Sequence, residues 1–388
     1  MLHHAQALVY SLLCLMPSVY QKRSLEAVLG MFLTAQGHAL PEHTPIKSAS
    51  ALSRFFNRYQ WSTRQVIRTT RAAILEQLAK HPVPRSVPMR LLIDLTTLKK
   101  TGKFWHLSTP SDDVDAPAPW VRMLNGKRGL HLVVLYIVVG QRRIPWSFRV
   151  WRGKDHPSPN QLACKLLASV PHTLSTGRIV IVQADTEFGT IEFLNAVKQR
   201  HWRAVVGVKN NRLLHDGRKL KDLPGPSKRG LQVYLEGIDY PLTVSWFWLK
   251  RADHKRELRF VASTHPYSGV YLVRVGRKRW AIEGFFKTAK HQFGLHCFGQ
   301  GTKIGVYRWL LLSLIAYLLA HWVDLWAWPY RLDWKATARL TLEKLLPSVL
   351  WAELLNQIKL NADIAAHFGF EIIIKSMPDL ACRDGCKI

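Results

Sequence analysis

The chain of 388 residues carries 55 Lys and Arg against 26 Asp and Glu, a formal net charge of +29, and 48% of its residues are hydrophobic. This hydrophobic content argues against a disordered polycation and is sufficient for a sizeable core in two or three structural units. A folded chain this basic is expected to bind a polyanion, of which nucleic acid is the commonest and an anionic membrane the alternative.

Residues 1–85 form the first predicted unit, which is helical, with apolar clusters around 24–35, 48–57 and 62–79. The proline-rich stretch "HPVPRSVP" ends it, because proline interrupts helices. Arginines recur in this unit at helix-like intervals, at Arg54, Arg58, Arg64, Arg68 and Arg71. Their spacing suits a DNA-binding region, and a solvated helix face explains it equally well.

A catalytic domain is predicted over residues 86–325, because the pattern changes to apolar runs typical of buried strands. These runs are "MRLLIDLTTL", "LHLVVLYIVVG", "RIPWSFRVW", "RIVIVQAD" and "WRAVVGVK", with helical patterns at 158–170 and 190–200. Three strands, a helix, a strand, a helix and a strand is the order of the ribonuclease H-like fold. The fold class is therefore predicted as α/β with a mixed sheet.

Two further segments complete the predicted organisation. Alternating apolar residues in "LQVYLEGIDYPLTVSWFWLKR" and "ELRFVAST" predict an antiparallel β insertion at about 210–270. Residues 326–388 predict a helical C-terminal region of mostly short segments.

No membrane or export segment is predicted. The run "ALVYSLLCLM" lacks the preceding Lys or Arg of a signal peptide. Fifteen mostly apolar residues between Arg308 and Asp324 are fewer than the roughly 20 that span a bilayer, and predict a buried helix. The five cysteines are scattered, and Cys382 and Cys386 lack the second ligand pair of a structural zinc site. This usage suits a cytoplasmic protein.

Three acidic residues carry the functional hypothesis. Asp94 lies inside one apolar run and Asp185 closes another, although desolvating a lone carboxylate costs several kcal/mol unless it is paired or metal-bound. Because the first and fourth strands are neighbours in a ribonuclease H-like sheet, the two acids are expected to converge. With Glu283, they can hold two Mg²⁺ ions about 3.5–4 Å apart, since hard cations prefer carboxylate oxygens.

Glu283 belongs to a predicted helix whose one face also carries Arg279, Lys287 and Lys290, at spacings of four, four and three residues. A carboxylate among three cations suits a surface where metal and phosphate meet. An exposed face of salt bridges is the alternative interpretation of the same pattern.

At these residues the chain resembles the DDE-type transposases of bacterial insertion sequences. The group it resembles carries a signature of Tyr, two residues, Arg, three residues, Glu, six residues and Lys. Arg279, Glu283 and Lys290 match it, whereas Gly276 stands where the Tyr falls. The first two acidic motifs resemble "LLIDLTTLKK" and "VQADTEFGT", and the similarity spans about 90–325.

The resemblance implies that Asp94, Asp185 and Glu283 are catalytic metal ligands for two Mg²⁺ ions, with Mn²⁺ as a substitute. It implies that Arg279, Lys290 and Lys287 hold DNA phosphates. Trp246 or Trp248 of the insertion is a candidate for stacking on a flipped base, with core packing as the alternative.

The implied function is a transposase that binds the terminal inverted repeats of its own element. It would pair two double-stranded DNA ends as a homodimer, cleave them and join them to target DNA, in the cytoplasm at the nucleoid. A non-catalytic DNA-binding repressor derived from a transposase, and a related nuclease without strand transfer, are the two alternatives.

Overall fold

The computed structural model describes residues 1–373 except 35, 45, 102–106, 108–119, 125, 224–228, 251–255 and 331. Cys382 and Cys386, and with them the end of the predicted C-terminal region, lie outside the described residues.

Twelve α-helices lie within the described residues. They are α1 (Leu2–Cys14), α2 (Val19–Thr34), α3 (Ala49–Asn57), α4 (Thr63–Lys80), α5 (Pro159–Ala168), α6 (His172–Ser175), α7 (Ile191–Gln199), α8 (Gly269–Arg277), α9 (Ala281–His291), α10 (Lys303–Ala327), α11 (Trp334–Leu345) and α12 (Pro347–His367). The predicted helices at 158–170 and 190–200 correspond to α5 and α7. The prediction of mostly short C-terminal segments is wrong, because α12 alone has 21 residues.

Serine residues begin several of these helices, as the sequence pattern requires. The side chain of Ser48 accepts a hydrogen bond from the backbone N–H of Ala51 at the start of α3, and Ser62 caps α4 in the same way. Ser158 and Gln161 form a reciprocal capping box at the start of α5. Each cap satisfies a backbone N–H group that has no partner within its helix.

Nine strands in the described part of the chain form one sheet. They are β1 (Met89–Lys99), β2 (Val121–Leu124), β3 (Lys127–Val139), β4 (Arg142–Val150), β5 (Val180–Ala184), β6 (Arg203–Val208), β7 (Leu231–Val233), β8 (Leu242–Lys250) and β9 (Arg256–Ser263).

The strand order confirms the predicted ribonuclease H-like arrangement. Strand β3 pairs antiparallel with β1 and β4, whereas β1, β5 and β6 run parallel, which gives the order β4-β3-β1-β5-β6. The predicted insertion is antiparallel, and its strands extend this same sheet because β9 pairs with β6 and is followed by β8 and β7. The insertion therefore continues the sheet directly beside β6.

Helix α10 lies at the centre of the helical part of the molecule. It packs against α1, α2, α3 and α4, against α11, and against β4 of the sheet. Its length and composition would allow it to cross a membrane, yet 72% of its most apolar stretch of 18 residues is buried inside the protein. The prediction of a buried helix is confirmed, and the N-terminal helices share one hydrophobic core with the sheet.

Candidate active site

Asp94 and Asp185 follow matching positions of two neighbouring strands. In the parallel pair β1 and β5, Ile93 lies opposite Ala184 at the last paired position, and each acid is the next residue along its strand. Asp94 is buried, and Asp185 is partly buried. The predicted sheet order therefore places two carboxylates beside each other in surroundings that disfavour their charge.

A tight turn fixes the direction of Asp185. Its Oδ1 accepts a hydrogen bond of 3.0 Å from the backbone N–H of Glu187, at the start of the 3₁₀ turn Thr186–Phe188. This turn packs on the backbone of β6 at Gly207, where a Cβ atom would lie 2.6 Å from Oγ1 of Thr186. Only glycine allows this close approach, so Gly207 helps to position Asp185.

Glu283 reaches the same region from α9, which follows α8 through the 3₁₀ turn Lys278–Trp280. The buried side chain of Gln183 on β5 donates a hydrogen bond to the carbonyl of Val275 and ties α8 to the sheet. Gly276 lies on the same helix, where a Cβ atom would be 3.3 Å from the Val261 methyl groups of β9. The close packing of α8 on the sheet thus sets the position of Arg279 and Glu283.

Arg279 joins two of the three acids. Its Nη1 donates to Oδ2 of Asp94 at 2.8 Å, and its Nη2 donates to Oε1 of Glu283 at 2.9 Å. The side chain of Arg279 is 16% exposed, whereas that of Glu283 is 56% exposed. The guanidinium therefore lies between a buried and an exposed carboxylate, and both bonds are charge-assisted.

Burial and the neighbouring charges shift the pKa values of Asp94 and Asp185. Burial raises the pKa of Asp94 to about 7; Arg279 opposes the rise, and the charges of Asp185 and Glu283 add to it. Burial likewise raises the pKa of Asp185, against the opposing effects of Arg279 and the Glu187 amide. The raised pKa values of Asp94 and Asp185 show that their charged forms need added positive charge, which Arg279 supplies.

A pocket of about 540 Å³ opens beside these groups. Asp185, Arg279 and Glu283 line it, and Asp94 borders it through its bond to Arg279. The donor chemistry fits a hard divalent cation, because every acidic ligand offers carboxylate oxygens. Within the described residues, however, no three His, Cys, Asp or Glu side chains form a group that could hold a metal ion. Arg279 bridges Asp94 and Glu283, and Asp185 lines the same pocket, but the three acids do not have metal-binding geometry in this arrangement.

The two predicted lysines of α9 occupy different environments. Nζ of Lys290 donates to Oγ1 of Thr96 at 3.0 Å and to the carbonyl of Thr97 at 3.3 Å, so it is held against β1 beside Asp94. Burial lowers the pKa of Lys290. Lys287 is exposed on the same helix, one turn beyond Glu283.

The structure places the two predicted tryptophans away from the pocket. Trp246 is 7% exposed and packs against Phe260, whereas Trp248 is 59% exposed. Phe247 and Leu249 line the pocket. Since side chains alternate along a strand, both tryptophans lie on the opposite face of β8. The burial of Trp246 supports the core-packing alternative for that residue.

Sequence reasoning missed other side chains of the pocket, namely Arg259 on β9, Arg277, Trp280 and Phe247. The guanidinium of Arg277 lies 5.0 Å from the ring centre of Phe247, and Trp280 is exposed. The alternation of side chains along β8 and β9 was the sequence signal that could have found these residues. Phe247 and Arg259 lie opposite each other in the paired strands and therefore share one face of the sheet.

Comparisons with known proteins identify the family of this chain. The family model of the transposase DDE domain matches residues 85–319. A probable transposase for the insertion sequence element IS5377 of Geobacillus stearothermophilus is 23% identical over 209 residues, covering 53% of this chain and 52% of that protein. The chain thus spans about half the length of this curated relative.

A solved structure with a similar fold is a piggyBac transposase synaptic complex with hairpin DNA. The TM-score is 0.51 at 11% sequence identity, and the alignment covers 91% of this chain and 79% of the other. At this level of identity the similarity concerns the fold alone.

Proposed function

The chain belongs to the transposase DDE domain family, and from this premise we propose that it binds the terminal inverted repeats of its own insertion sequence and catalyses metal-dependent cleavage and strand transfer of DNA. The observation that carries the proposal is the meeting of Asp94 and Glu283 on Arg279, with Asp185 in the same pocket. Its substrate is double-stranded DNA at the nucleoid of a bacterial cytoplasm, and a homodimer brings two ends together.

In this proposal Asp94, Asp185 and Glu283 are the ligands of two Mg²⁺ ions, for which Mn²⁺ can substitute. When bound, the metal supplies activation of the attacking oxygen and neutralisation of the leaving oxygen. The carboxylate oxygens fit this role by chemistry, and the raised pKa of Asp94 indicates that its charged form needs a nearby cation.

The basic side chains bind the substrate in this scheme. Arg279, Arg259 and Arg277 line the pocket and suit the phosphates that flank a scissile bond, because a guanidinium can hold two phosphate oxygens at once. Lys287 is exposed to reach DNA, and Lys290 orients β1 beside Asp94 through Thr96. Trp248 is exposed on the face of β8 opposite the pocket, so in this scheme it can stack only on a base that reaches that face, and we assign no such role to buried Trp246.

The test is a cleavage assay with purified protein, Mg²⁺ and a duplex carrying the inverted repeats that flank the gene. Asp94→Asn, Asp185→Asn and Glu283→Gln should each lower cleavage by about a hundredfold or more, since each removes a charge that transition-state stabilisation needs. Glu343→Gln, which changes an exposed acid on α11, serves as the matched control and should cleave normally.

The same assay separates the three functions. Joined strands in the products support the transposase, whereas cleavage without joining supports a nuclease. Salt-sensitive DNA binding without any nick in Mg²⁺ supports a repressor, because phosphate contacts do not depend on the metal. Equal cleavage by the wild type and Asp94→Asn contradicts the assignment of the site.

A further inference from the structure

Arg279 binds one carboxylate oxygen of each of two acids that we propose as metal ligands, Asp94 and Glu283. Separate nitrogens of its guanidinium hold Oδ2 of Asp94 and Oε1 of Glu283, at 2.8 and 2.9 Å. In this arrangement no metal-binding group of three acids exists in the described part of the chain, although Asp185 lines the same pocket. In the absence of a metal ion, the single positive charge of Arg279 thus offsets the negative charges of Asp94 and Glu283.

Arg279 bridges Asp94 and Glu283, and these two carboxylates differ in solvent exposure. Asp94 is buried, so departure of Arg279 would leave its charge without a partner unless another cation or a proton takes the place of the guanidinium. Glu283 is exposed, so its bond to Arg279 is the weaker one. The bridge can therefore open from the Glu283 side, toward the pocket of about 540 Å³.

We propose that Arg279 couples DNA binding to metal binding: without DNA it holds Asp94 and Glu283 and keeps a divalent ion out, and a DNA phosphate draws its guanidinium away. The inference rests on the proposed function and adds that the binding of DNA and the binding of the metal ion depend on each other. A phosphate competes well for this side chain, because arginine and phosphate form paired, charge-assisted hydrogen bonds.

The coupling is reciprocal by thermodynamic linkage. If a DNA phosphate raises the affinity of the acids for the metal, then the metal raises the affinity of the protein for DNA by the same factor. The protein would then acquire its metal only on DNA, which prevents a loaded site from forming in the free enzyme.

The experiment measures Mn²⁺ binding to the DNA-free protein by electron paramagnetic resonance, which detects free Mn²⁺. Arg279→Gln should lower the Kd for Mn²⁺ by about tenfold or more, because it removes a cation that lies a few Å from the site. Arg274→Gln is the matched control: it removes one exposed charge from α8 at a side chain that lies 5.0 Å from the ring centre of Tyr271 and does not line the pocket. It should change the Kd by much less.

A second measurement does not depend on any Arg279 variant folding. Mn²⁺ binding to the wild type is compared with and without a duplex carrying the flanking inverted repeats, and the duplex should lower the Kd for Mn²⁺. In Arg279→Gln, with folding checked by circular dichroism, the duplex should have little further effect.

The outcomes separate this inference from the proposed function. An Arg279→Gln protein that binds Mn²⁺ no more tightly than the wild type overturns the coupling, and so does a wild-type affinity that DNA leaves unchanged. In both cases loss of Mn²⁺ binding in Asp94→Asn still supports the proposed metal site. Mn²⁺ binding that Asp94→Asn does not alter, with or without DNA, overturns both proposals.

Discussion

Asp94 combines burial with negative charge, and this combination costs stability in the metal-free protein. Burial raises its pKa from 3.8 to about 7. A carboxyl group whose pKa is higher in the folded state binds more protons there than in the unfolded chain. The stability of the wild type should therefore fall as the pH rises from about 4 to about 7.

Asp94→Asn should remove this penalty. In EDTA at pH 8 we expect the variant to be more stable by about 1–3 kcal/mol, since a rise of the Asp94 pKa from 3.8 to about 7 corresponds to about 4 kcal/mol and Arg279 loses one partner. At pH 4 the advantage should disappear, because Asp94 is then largely protonated. Urea unfolding at both pH values measures the difference, and a variant that is less stable than the wild type at pH 8 contradicts the account.

Gly276 stands where the Tyr-Arg-Glu-Lys signature of the resembled group has Tyr. Close packing around this position accounts for the glycine. A Cβ atom at this position would lie 3.3 Å from the methyl groups of Val261, so α8 packs too closely on β9 for a large side chain. Gly276→Tyr, which restores the signature, should destabilise the protein by about 1–3 kcal/mol, as overpacking does.

A double-mutant cycle tests this steric explanation. Val261→Ala makes room beneath α8, and we expect it to recover part of the stability that Gly276→Tyr loses. Additive losses in the two single variants and the double variant, measured by urea unfolding, would show that the two positions do not interact.

Arg308 attaches the N-terminal helices to the core. Its buried guanidinium donates to the carbonyls of Phe55 at 3.2 Å, Phe56 at 2.9 Å and Trp61 at 2.8 Å, and lies 4.0 Å from the ring centre of Trp61. Burial lowers the pKa of Arg308 to about 10. The contacts cap the end of α3, whose last carbonyls have no partner within the helix.

Arg308→Met should cost about 3 kcal/mol or more, because the carbonyls of Phe56 and Trp61 lose a buried donor, whereas that of Phe55 keeps the indole N–H of Trp61. We expect α3 and the start of α4 to become sensitive to limited proteolysis before the sheet does. Arg339→Met, at an exposed arginine of α11, is the control and should change stability by less than about 0.5 kcal/mol. Equal protease resistance of Arg308→Met and the wild type argues against this anchoring role.

The elements themselves were largely predictable, because each depends on a local pattern. Apolar runs located β1, β3 and β5, and the alternation in 231–264 located β8 and β9. The partner of β9 was not predictable, since strand pairing depends on the tertiary arrangement. The tryptophans of β8 illustrate the same limit: their shared face follows from the period of two, but only the packed structure buries Trp246 and exposes Trp248.

The sequence predicted that Asp94 and Asp185 are neighbours, but it did not predict the contacts that surround them. Strand order was enough to bring Asp94 beside Asp185, because the ribonuclease H-like sheet fixes which strands are neighbours. The helical spacing of four indicated that Arg279 and Glu283 share a face. The bond from Arg279 to Asp94 joins residues 185 positions apart, and no local pattern encodes it.

Titration of buried histidines should determine how the entire chain responds to acid. Burial lowers the pKa of His321, which accepts a hydrogen bond from the backbone N–H of Arg143, to about 3. Burial lowers the pKa of further histidines as well, namely His4, His131, His265 and His296. A histidine with a lowered folded pKa binds fewer protons than in the unfolded chain, so its contribution to stability decreases as the pH falls below about 6.5.

His321 alone should therefore reduce the free energy of unfolding by up to about 1.4 kcal/mol per pH unit between pH 6 and pH 4. His321→Gln removes this titration and should make the dependence on pH shallower by about one proton, whereas the control His367→Gln, at an exposed position of α12, should not. The raised pKa of Asp94 makes its own contribution to stability increase as the pH falls. This contribution is the same in the wild type and in His321→Gln, so it cancels when their slopes are compared. Urea unfolding at pH 6, 5 and 4 measures the slopes, and identical slopes for the wild type and His321→Gln would contradict this explanation of acid sensitivity.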